Sequence, residues 1–340
     1  MGKYYDFIMN PSKDTFTDLF NILWSKELDK LKIPYSNAIQ LRIGNQLRPK
    51  LTCWGAAINT NNESEIDLER TAKIAVYIEM LHKASIIIDD MVDCDDARHG
   101  RQSFHIEFGR EKAVIFSLVL LGQGMSGICE MFYNTPYLYR SLLTYSGTIS
   151  RMATGCLEEL ELDSKSRYDL EKIQRIINYE TISLIKNSLL LGYWSNKEGE
   201  DDLEPIILEI GNNCGYIFQI LNDLEPFSSL EKNSNYKGGI NFDVNRNRKN
   251  IAVAYIFGSA TSKEKHQLLS QTGMDLQALI WALYEKYDVY NAVCQDARNL
   301  ERQTYKLVER LYGTSHQTNC LDDFSRFIEE MMKICFSRLK

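Results

Sequence analysis

The stretch HKASIIIDDMVDCDDARHGR, residues 82–101, places a dense group of charged side chains directly after an apolar run. Asp89 and Asp93 stand four residues apart, so on a helix both carboxylates project from one face. Crowded carboxylates raise one another's pKa unless a cation neutralises them. Mg²⁺ prefers hard oxygen ligands and keeps waters that phosphate oxygens can replace. With Arg98 following closely, the stretch fits a magnesium and phosphate site at a helix end about as well as it fits a solvated acidic loop.

Apolar residues recur at spacings of three and four from 69 to 93, which is the period of a core-facing helix. The run 113–121 is too short to cross a bilayer and predicts a buried helix. No alternating runs bounded by hairpin turns predict a substantial sheet. The sequence therefore predicts an all-α fold with one domain over residues 1–340. Further helices are predicted over 166–195, 204–225, 250–258, 274–312 and 320–338.

Composition limits the classes of partner. The formal net charge of −7 argues against a broad surface for nucleic acid or anionic membranes, which need an excess of Lys and Arg. The eight cysteines form no CxxC pair, and the N-terminus lacks the apolar core of a secretory signal. These features predict a cytoplasmic protein with reduced thiols and no membrane span.

A second group of polar residues lies at 214–249. CGYIFQILNDLEPF (214–227) predicts an apolar helix that carries Gln219, Asn222, Asp223 and Glu225. The following loop supplies cations, among them Lys237, Arg246, Arg248 and Lys249. Lys186 lies in another apolar stretch, where a lone lysine would otherwise only extend to water. Two acidic groups with three sources of cations favour a metal-dependent site for an anion.

Five segments, in this order, resemble the trans-isoprenyl diphosphate synthases, or polyprenyl synthetase family. LRIGNQLRPKL (41–51) resembles the family's Gly-Lys-Arg-Leu-Arg-Pro segment, and residues 82–101 resemble the first aspartate-rich motif, DDxxD, followed by Arg-Arg-Gly. IKNSLLLG (185–192) is similar to the Lys-Thr segment. FQILNDLEPF (218–227) stands where the second aspartate-rich motif follows Phe-Gln, and KGGINFDVNRNRKNI (237–251) resembles the Lys-Gly-Ser-Asp loop.

The resemblance implies an antiparallel helical bundle with a central cavity, the isoprenoid synthase or class I terpenoid synthase fold, and a homodimer. It also implies that three Mg²⁺ ions bridge the substrate diphosphate to carboxylate and amide oxygens at the cavity mouth. The implied metal ligands are Asp89, Asp93, Asn222 and Asp223. The implied ligands of the allylic diphosphate are Arg98, Lys186, Gln219, Lys237 and Arg248.

Departures from the family pattern bear on the reaction. Asn45, Gln46 and His99 stand where the family has cations for a second, homoallylic diphosphate. Only Arg48, with His99, is left to bind it, so that site is predicted to be weak. The second motif reads Asn222-Asp223-Leu-Glu-Pro, and its Asn-Asp pair is similar to that of terpene cyclases. The cyclase pattern is incomplete, because Pro and Leu replace its Ser and Glu.

The residues one turn before the first motif, Ala84 and Ser85, are small. In the resembling family this level forms the cavity floor, so small side chains permit a C20 or longer product; close helix packing is the alternative explanation. The predicted function is magnesium-dependent transfer of a C15 or C20 allylic prenyl diphosphate to isopentenyl diphosphate. The alternatives are a terpene cyclase, transfer to another acceptor such as a peptide, and an inert partner subunit.

Overall fold

The computed structural model describes residues 15–33, 46–58, 66–98, 101–196, 203–227, 248–313 and 328–329. Nearly all of these residues are helical. The helices are α1 (Thr15–Lys30), α2 (Leu47–Ala57), α3 (Leu68–Val92), α4 (Phe104–Phe108), α5 (Arg110–Phe132), α6 (Leu138–Leu160), α7 (Leu170–Ile177), α8 (Ser183–Ser195), α9 (Glu204–Leu224), α10 (Ile251–Ser259), α11 (Ser262–Ser270), α12 (Gly273–Lys286) and α13 (Val289–Gly313).

Short irregular elements connect some of these helices. The strands Ala97–Arg98 and Arg101–Gln102 pair antiparallel, and no other strand occurs in the described part of the chain. Two 3₁₀ turns cover Ser166–Tyr168 and Glu225–Phe227. A π-helical turn, Asn178–Ile182, joins α7 directly to α8. The all-α prediction is confirmed.

Local sequence signals explain where several helices begin. Asp67 accepts a hydrogen bond from the backbone N–H of Arg70 at the start of α3, and Asn250 accepts one from Val253 at the start of α10. Such caps satisfy backbone donors that have no partner within the helix. Pro205 lies in the first turn of α9, where its missing N–H costs nothing.

The hydrophobic core is centred on α2 and α8, whose residues are almost all buried. These helices pack backbone to backbone because each presents a glycine to the other. A Cβ on Gly55 would lie 2.0 Å from the carbonyl oxygen of Leu189, and a Cβ on Gly192 would lie 2.0 Å from that of Thr52. Both α3 and α9 pack against α8, so the acidic ends of α3 and α9 share one central support.

Three helix predictions need correction. The helix predicted over 166–195 is divided, because a 3₁₀ turn precedes the extended residue Asp169 before α7, and the π turn separates α7 from α8. The single helix predicted over 274–312 is broken between α12 and α13, where Asp288 has a φ of 47° that a helix does not tolerate. The run 113–121 is helical, but it is only partly buried. One side of it packs against α3, while Val114, Ile115 and Leu118 are exposed. The helix predicted over 320–338 lies outside the described residues, apart from 328–329.

Substitution of Gly192 by Ala is expected to lower the free energy of unfolding by at least about 2 kcal/mol, because the backbone of α2 cannot easily move away. Chemical denaturation measures this loss. Gly258→Ala is the matched control, since no atom lies within 4 Å of its added Cβ. That control should be neutral or slightly stabilising, and equal stability of the two variants would contradict the proposed contact.

Candidate active site

The first acidic motif, Asp89 to Asp93, lies at the C-terminal end of α3. Arg98 on the short hairpin folds back onto it: Nε donates to Asp90 at 2.5 Å, and Nη2 donates to Asp89 at 3.0 Å. Asp89 is nevertheless 44% exposed, so its carboxylate faces solvent on one side. Asp93 caps the helix, and its backbone N–H donates to the carbonyl of Asp89. Asp89 and Arg98 are therefore adjacent, as the sequence predicts.

A second arginine reaches the same motif from 155 residues further along the chain. The Nη2 of Arg248 donates to the carboxylate of Asp93, and its Nη1 lies 3.4 Å from Glu159 at the end of α6. Burial lowers the pKa of Arg248, and the negative charge of Asp89 opposes that shift. The guanidinium thus lies among three carboxylates.

The second acidic motif, at the end of α9, is organised around Asp223. Its side chain accepts hydrogen bonds from Gln219 Nε2 at 2.6 Å and from the backbone N–H of Ile251 at 2.8 Å. Its carbonyl accepts one from Asn250 Nδ2 at 3.0 Å. The Gln219 side chain also accepts from Thr181 Oγ1 at 2.7 Å, which ties the motif to the π turn.

The two motifs therefore meet through one short segment, residues 248–251. Arg248 contacts the first motif, and Asn250 with Ile251 contacts the second. Because consecutive Cα atoms are 3.8 Å apart, the Cα atoms of residues 248 and 251 are separated by at most about 11 Å. The carboxylates of Asp93 and Asp223, 130 residues apart in sequence, are in this way brought to the two sides of one segment.

The other predicted residues are placed as follows. Lys186 on α8 is half-buried, and burial together with the positive charge of Arg151 lowers its pKa. Asn222 is half-buried in the last turn of α9. Ala84 is buried on α3, and the Ser85 hydroxyl donates to the carbonyl of His82 at 2.8 Å. Lys237 and His99 lie outside the described residues.

The remnant of the second diphosphate site is centred on Arg48. Its Nη1 lies 2.9 Å from His82 Nε2, and burial lowers the pKa of Arg48 to about 10 despite the opposing charge of Glu79. Burial and the cations Arg48, Lys83 and Arg98 hold the pKa of His82 well below its usual value, so His82 is neutral. It therefore accepts a hydrogen bond from Arg48.

Gln46 takes no part in the contact between Arg48 and His82. Its side chain donates to Asn21 on α1 at 3.0 Å. The sequence did not single out His82, although it precedes Asp89 by seven residues, two turns of the same helix face.

Three further charged residues lie beside the motifs. The sequence did not single out Glu159 or Glu180, and it indicated Lys249 only as one of the loop cations. Lys249 Nζ lies 3.0 Å from Glu159 and also pairs with Glu180 in the π turn. Burial would lower the pKa of Lys249, but the two carboxylates outweigh it and raise the pKa well above its usual value. A lone Glu inside an apolar helix was an available signal for Glu180, of the kind that singled out Lys186.

The donor set suits a hard divalent cation that keeps most of its water. Within the described ranges, no three Asp, Glu, His or Cys side chains form a group that could hold a metal ion by themselves. Mg²⁺ is commonly held by one or two carboxylates plus substrate phosphates. The exposed carboxylate of Asp89 fits that mode of binding, because an ion there can also be reached by a diphosphate from solvent.

Comparison with known proteins agrees with this geometry. The sequence profile of the Polyprenyl synthetase family matches residues 30–287. A geranylgeranyl diphosphate synthase of Saccharolobus solfataricus is 26% identical over 232 residues, which cover 68% of each chain. A geranylfarnesyl diphosphate synthase of Aeropyrum pernix is 24% identical, covering 65% of this chain and 69% of that protein.

Solved structures share the fold. Geranylgeranyl pyrophosphate synthetase from Pyrococcus horikoshii superposes with a TM-score of 0.80 at 20% identity, covering 97% of this chain and 98% of that one. A polyprenyl synthase from Caulobacter crescentus, in complex with calcium and isoprenyl diphosphate, gives a TM-score of 0.75 at 17% identity, covering 96% and 97%. The chain belongs to the polyprenyl synthetase family, has the isoprenoid synthase fold and is by that membership a prenyltransferase.

A pH effect follows from the buried pair beside the motifs. Burial raises the pKa of Glu180 to about 8, with Glu159 and Asp89 adding to the shift and Lys249 opposing it. The folded state then retains a proton that the unfolded state releases, so stability falls as pH rises from the ordinary glutamate pKa towards 8.

Glu180→Gln should therefore lose less stability between pH 5 and pH 8.5 than the wild type does. Urea denaturation at both pH values measures the difference. An identical pH dependence in the two proteins would show that Glu180 is ionised normally.

Proposed function

We propose that the protein is a magnesium-dependent prenyltransferase that ionises an allylic prenyl diphosphate of the C15 or C20 class and joins it to isopentenyl diphosphate in isoprenoid biosynthesis. The observation that carries the proposal is the meeting of two acidic motifs across residues 248–251, with Arg98 and Arg248 bound to carboxylates of the first motif. An isolated acidic surface would not bury cations from distant parts of the chain against these aspartates.

In this proposal Asp89, Asp93, Asn222 and Asp223 supply oxygens to three Mg²⁺ ions, which would neutralise charge that develops on the departing diphosphate. Arg98, Lys186 and Arg248 donate to its remaining oxygens, together with Lys237. Fixed donors of this kind stabilise a leaving group without the cost of reorienting water. Gln219 is proposed to bind diphosphate as well, and its bond to Asp223 would hold it there.

The arginines are positioned to exchange partners when the substrate arrives. Arg98 and Arg248 each bind carboxylates of the first motif, which are the proposed metal ligands. Once those carboxylates are neutralised, the guanidinium groups can turn their donors to phosphate oxygens, for which their planar geometry is suited. The allylic cation then needs surroundings that exclude water, and the apolar core beneath α3 and α8 is proposed to supply them.

Replacement of Asp89 or Asp93 by Asn is expected to lower kcat by about a hundredfold or more, because each change removes a charge that the transition state requires. Steady-state assays with farnesyl diphosphate, isopentenyl diphosphate and Mg²⁺ measure the effect. Asp96→Asn, at an exposed position of the same segment, is the control and should retain activity. Equal activity of all three variants would contradict the proposed metal site.

A terpene cyclase is the second candidate, and one specific observation favours it. Gln46 is bonded to Asn21 and contributes no charge, so the acceptor half offers Arg48 and the neutral His82. Products should therefore be analysed with C10, C15 and C20 donors, each with and without isopentenyl diphosphate. Elongated diphosphates support the transferase, whereas a hydrocarbon or alcohol formed from the donor alone supports the cyclase. His99 is proposed to add to the acceptor site.

The cavity floor is proposed to lie at Ala84 and Ser85, one turn before Asp89. Ala84 is fully buried, and the Ser85 hydroxyl is bonded to its own helix, so neither side chain projects far from α3. This arrangement is compatible with a product of C20 or longer. The product lengths from the donor series test it.

A homodimer is proposed from the exposed face of α5. Among the described helices, α5 is long and apolar enough to cross a membrane. Its most apolar stretch of 18 residues has a mean hydropathy of 1.6, and 33% of that stretch is buried. Ile115, Leu118 and Met125 recur on one side of it and are exposed. A second copy of the chain would cover this apolar stripe, and apolar patches of this kind commonly mark interfaces.

Leu118→Glu is expected to shift the protein from dimer to monomer, because a carboxylate would be buried without a partner at the interface. Light scattering coupled to size exclusion measures the mass. Met274→Glu is the matched control, since Met274 is 84% exposed and lies on α12. If the Leu118 variant keeps the mass of the wild type, the dimer surface lies elsewhere.

We also propose that residues 1–340 form one domain and that the protein is cytoplasmic. The buried apolar residues of the described helices, from α1 to α13, form one connected core. Among the described cysteines, Cys94, Cys129, Cys156, Cys214 and Cys294 are free thiols. Free thiols are typical of a reducing compartment.

A further inference from the structure

Lys249 is a buried cation that the proposed chemistry does not use. It follows Arg248 directly, and its side chain is 13% exposed. Its backbone N–H donates to one oxygen of Glu159 at 2.9 Å, and its ammonium donates to the other oxygen at 3.0 Å. The same ammonium also pairs with Glu180. A buried cation with two carboxylates is costly to assemble and needs close geometry to be stable.

The surrounding helices are shaped to admit Glu180. It lies in the π turn between α7 and α8, and such turns frequently occur at functional sites. On the facing helix α6, a Cβ on Gly155 would lie 2.6 Å from Glu180 Cγ. A side chain at position 155 would therefore displace Glu180 from Lys249. The π turn and the glycine both serve the same ion pair.

The geometry of Glu159 links this pair to the active site. Both of its oxygens are engaged by Lys249, and the one that accepts from the ammonium also lies 3.4 Å from Arg248 Nη1. The contact to Arg248 is therefore the weaker one, and Arg248 remains on Asp93. Without Lys249, Glu159 would be a buried carboxylate with Arg248 as its remaining cationic partner among the described residues, and the attraction would draw the guanidinium away from Asp93.

We propose that Lys249 and Glu180 are a positioning pair that fixes Glu159 and so keeps Arg248 at the mouth of the allylic diphosphate site. This inference rests on the proposed function, in which Arg248 binds diphosphate. Neither Lys249 nor Glu180 contacts the substrate in this arrangement. Their effect on the reaction passes through Glu159 to the position of one guanidinium group.

The test uses the full chain and the double variant K249M/E180Q. The variant is nearly isosteric, and it is measured at pH 9, above the pKa of about 8 that burial gives Glu180, so that one charge of each sign is removed and no extra net charge is left buried. We expect a roughly tenfold loss of kcat with the allylic donor. We also expect a fivefold or greater loss of affinity for inorganic pyrophosphate in the presence of Mg²⁺, measured by calorimetry. E180Q alone keeps the contact between Lys249 and Glu159 and should change both quantities less than threefold.

The control is K73M/E69Q, which removes an i,i+4 ion pair on the outer part of α3 and should change neither quantity. Values for K249M/E180Q within twofold of the wild type would overturn the inference. The pyrophosphate measurement needs no turnover, so it judges the pair even if the wild type forms no elongated product. A wild type that forms no elongated product would instead count against the proposed reaction.

Discussion

The structure of the site depends on how residues 248–251 are held. This segment has no regular structure until α10 begins at Ile251, so its position is set by side chains from elsewhere. Glu159 of α6 binds it at Lys249, and Asp223 of α9 binds it at Ile251. Asp93 of the first acidic motif binds it at Arg248. Three helices are thus connected through four residues, and the connection consists almost entirely of carboxylates bonded to backbone N–H groups and cations.

Electrostatics explain why such a connection suits a diphosphate enzyme. Several buried or half-buried carboxylates lie close together, and each would be unstable as an anion without a neighbouring cation. Arg98, Arg248 and Lys249 provide these charges in the unliganded protein. In the proposed reaction, a divalent metal with its substrate would take the place of the arginines at the aspartates. The charged groups that stabilise the fold are therefore the same groups that are proposed to bind the ligand.

The two halves of the proposed site differ in their charge. The allylic half has the partly exposed carboxylate of Asp89 and two arginines on the first motif, whereas the acceptor half holds a buried Arg48 against a neutral imidazole. A single guanidinium with a lowered pKa binds a diphosphate less strongly than a group of cations does. Transferases and cyclases share this fold. The charge of the acceptor half therefore decides more than the fold does which acceptor is used.

The sequence by itself determined the helical fold, the two acidic motifs and their cations, because periodicity and charge are local properties. It predicted both ends of α3 and of α9 within one residue, and the end of α8, but not where α8 begins. It also predicted that Asp89 and Asp93 share a face with Arg98 nearby, since they lie within ten residues of one another. The break at Asp288 was missed, because no proline or glycine marks it.

Only the tertiary structure decided which distant residues meet. Glu159 pairs with Lys249, 90 residues away, and Arg48 pairs with His82, 34 residues away. No periodic pattern in the sequence indicates either contact. The sequence also did not indicate that Ile115 and Leu118 are exposed, because the same apolar residues occur in a core and at an interface with a partner. Such contacts are fixed by how whole helices pack, which local patterns do not specify.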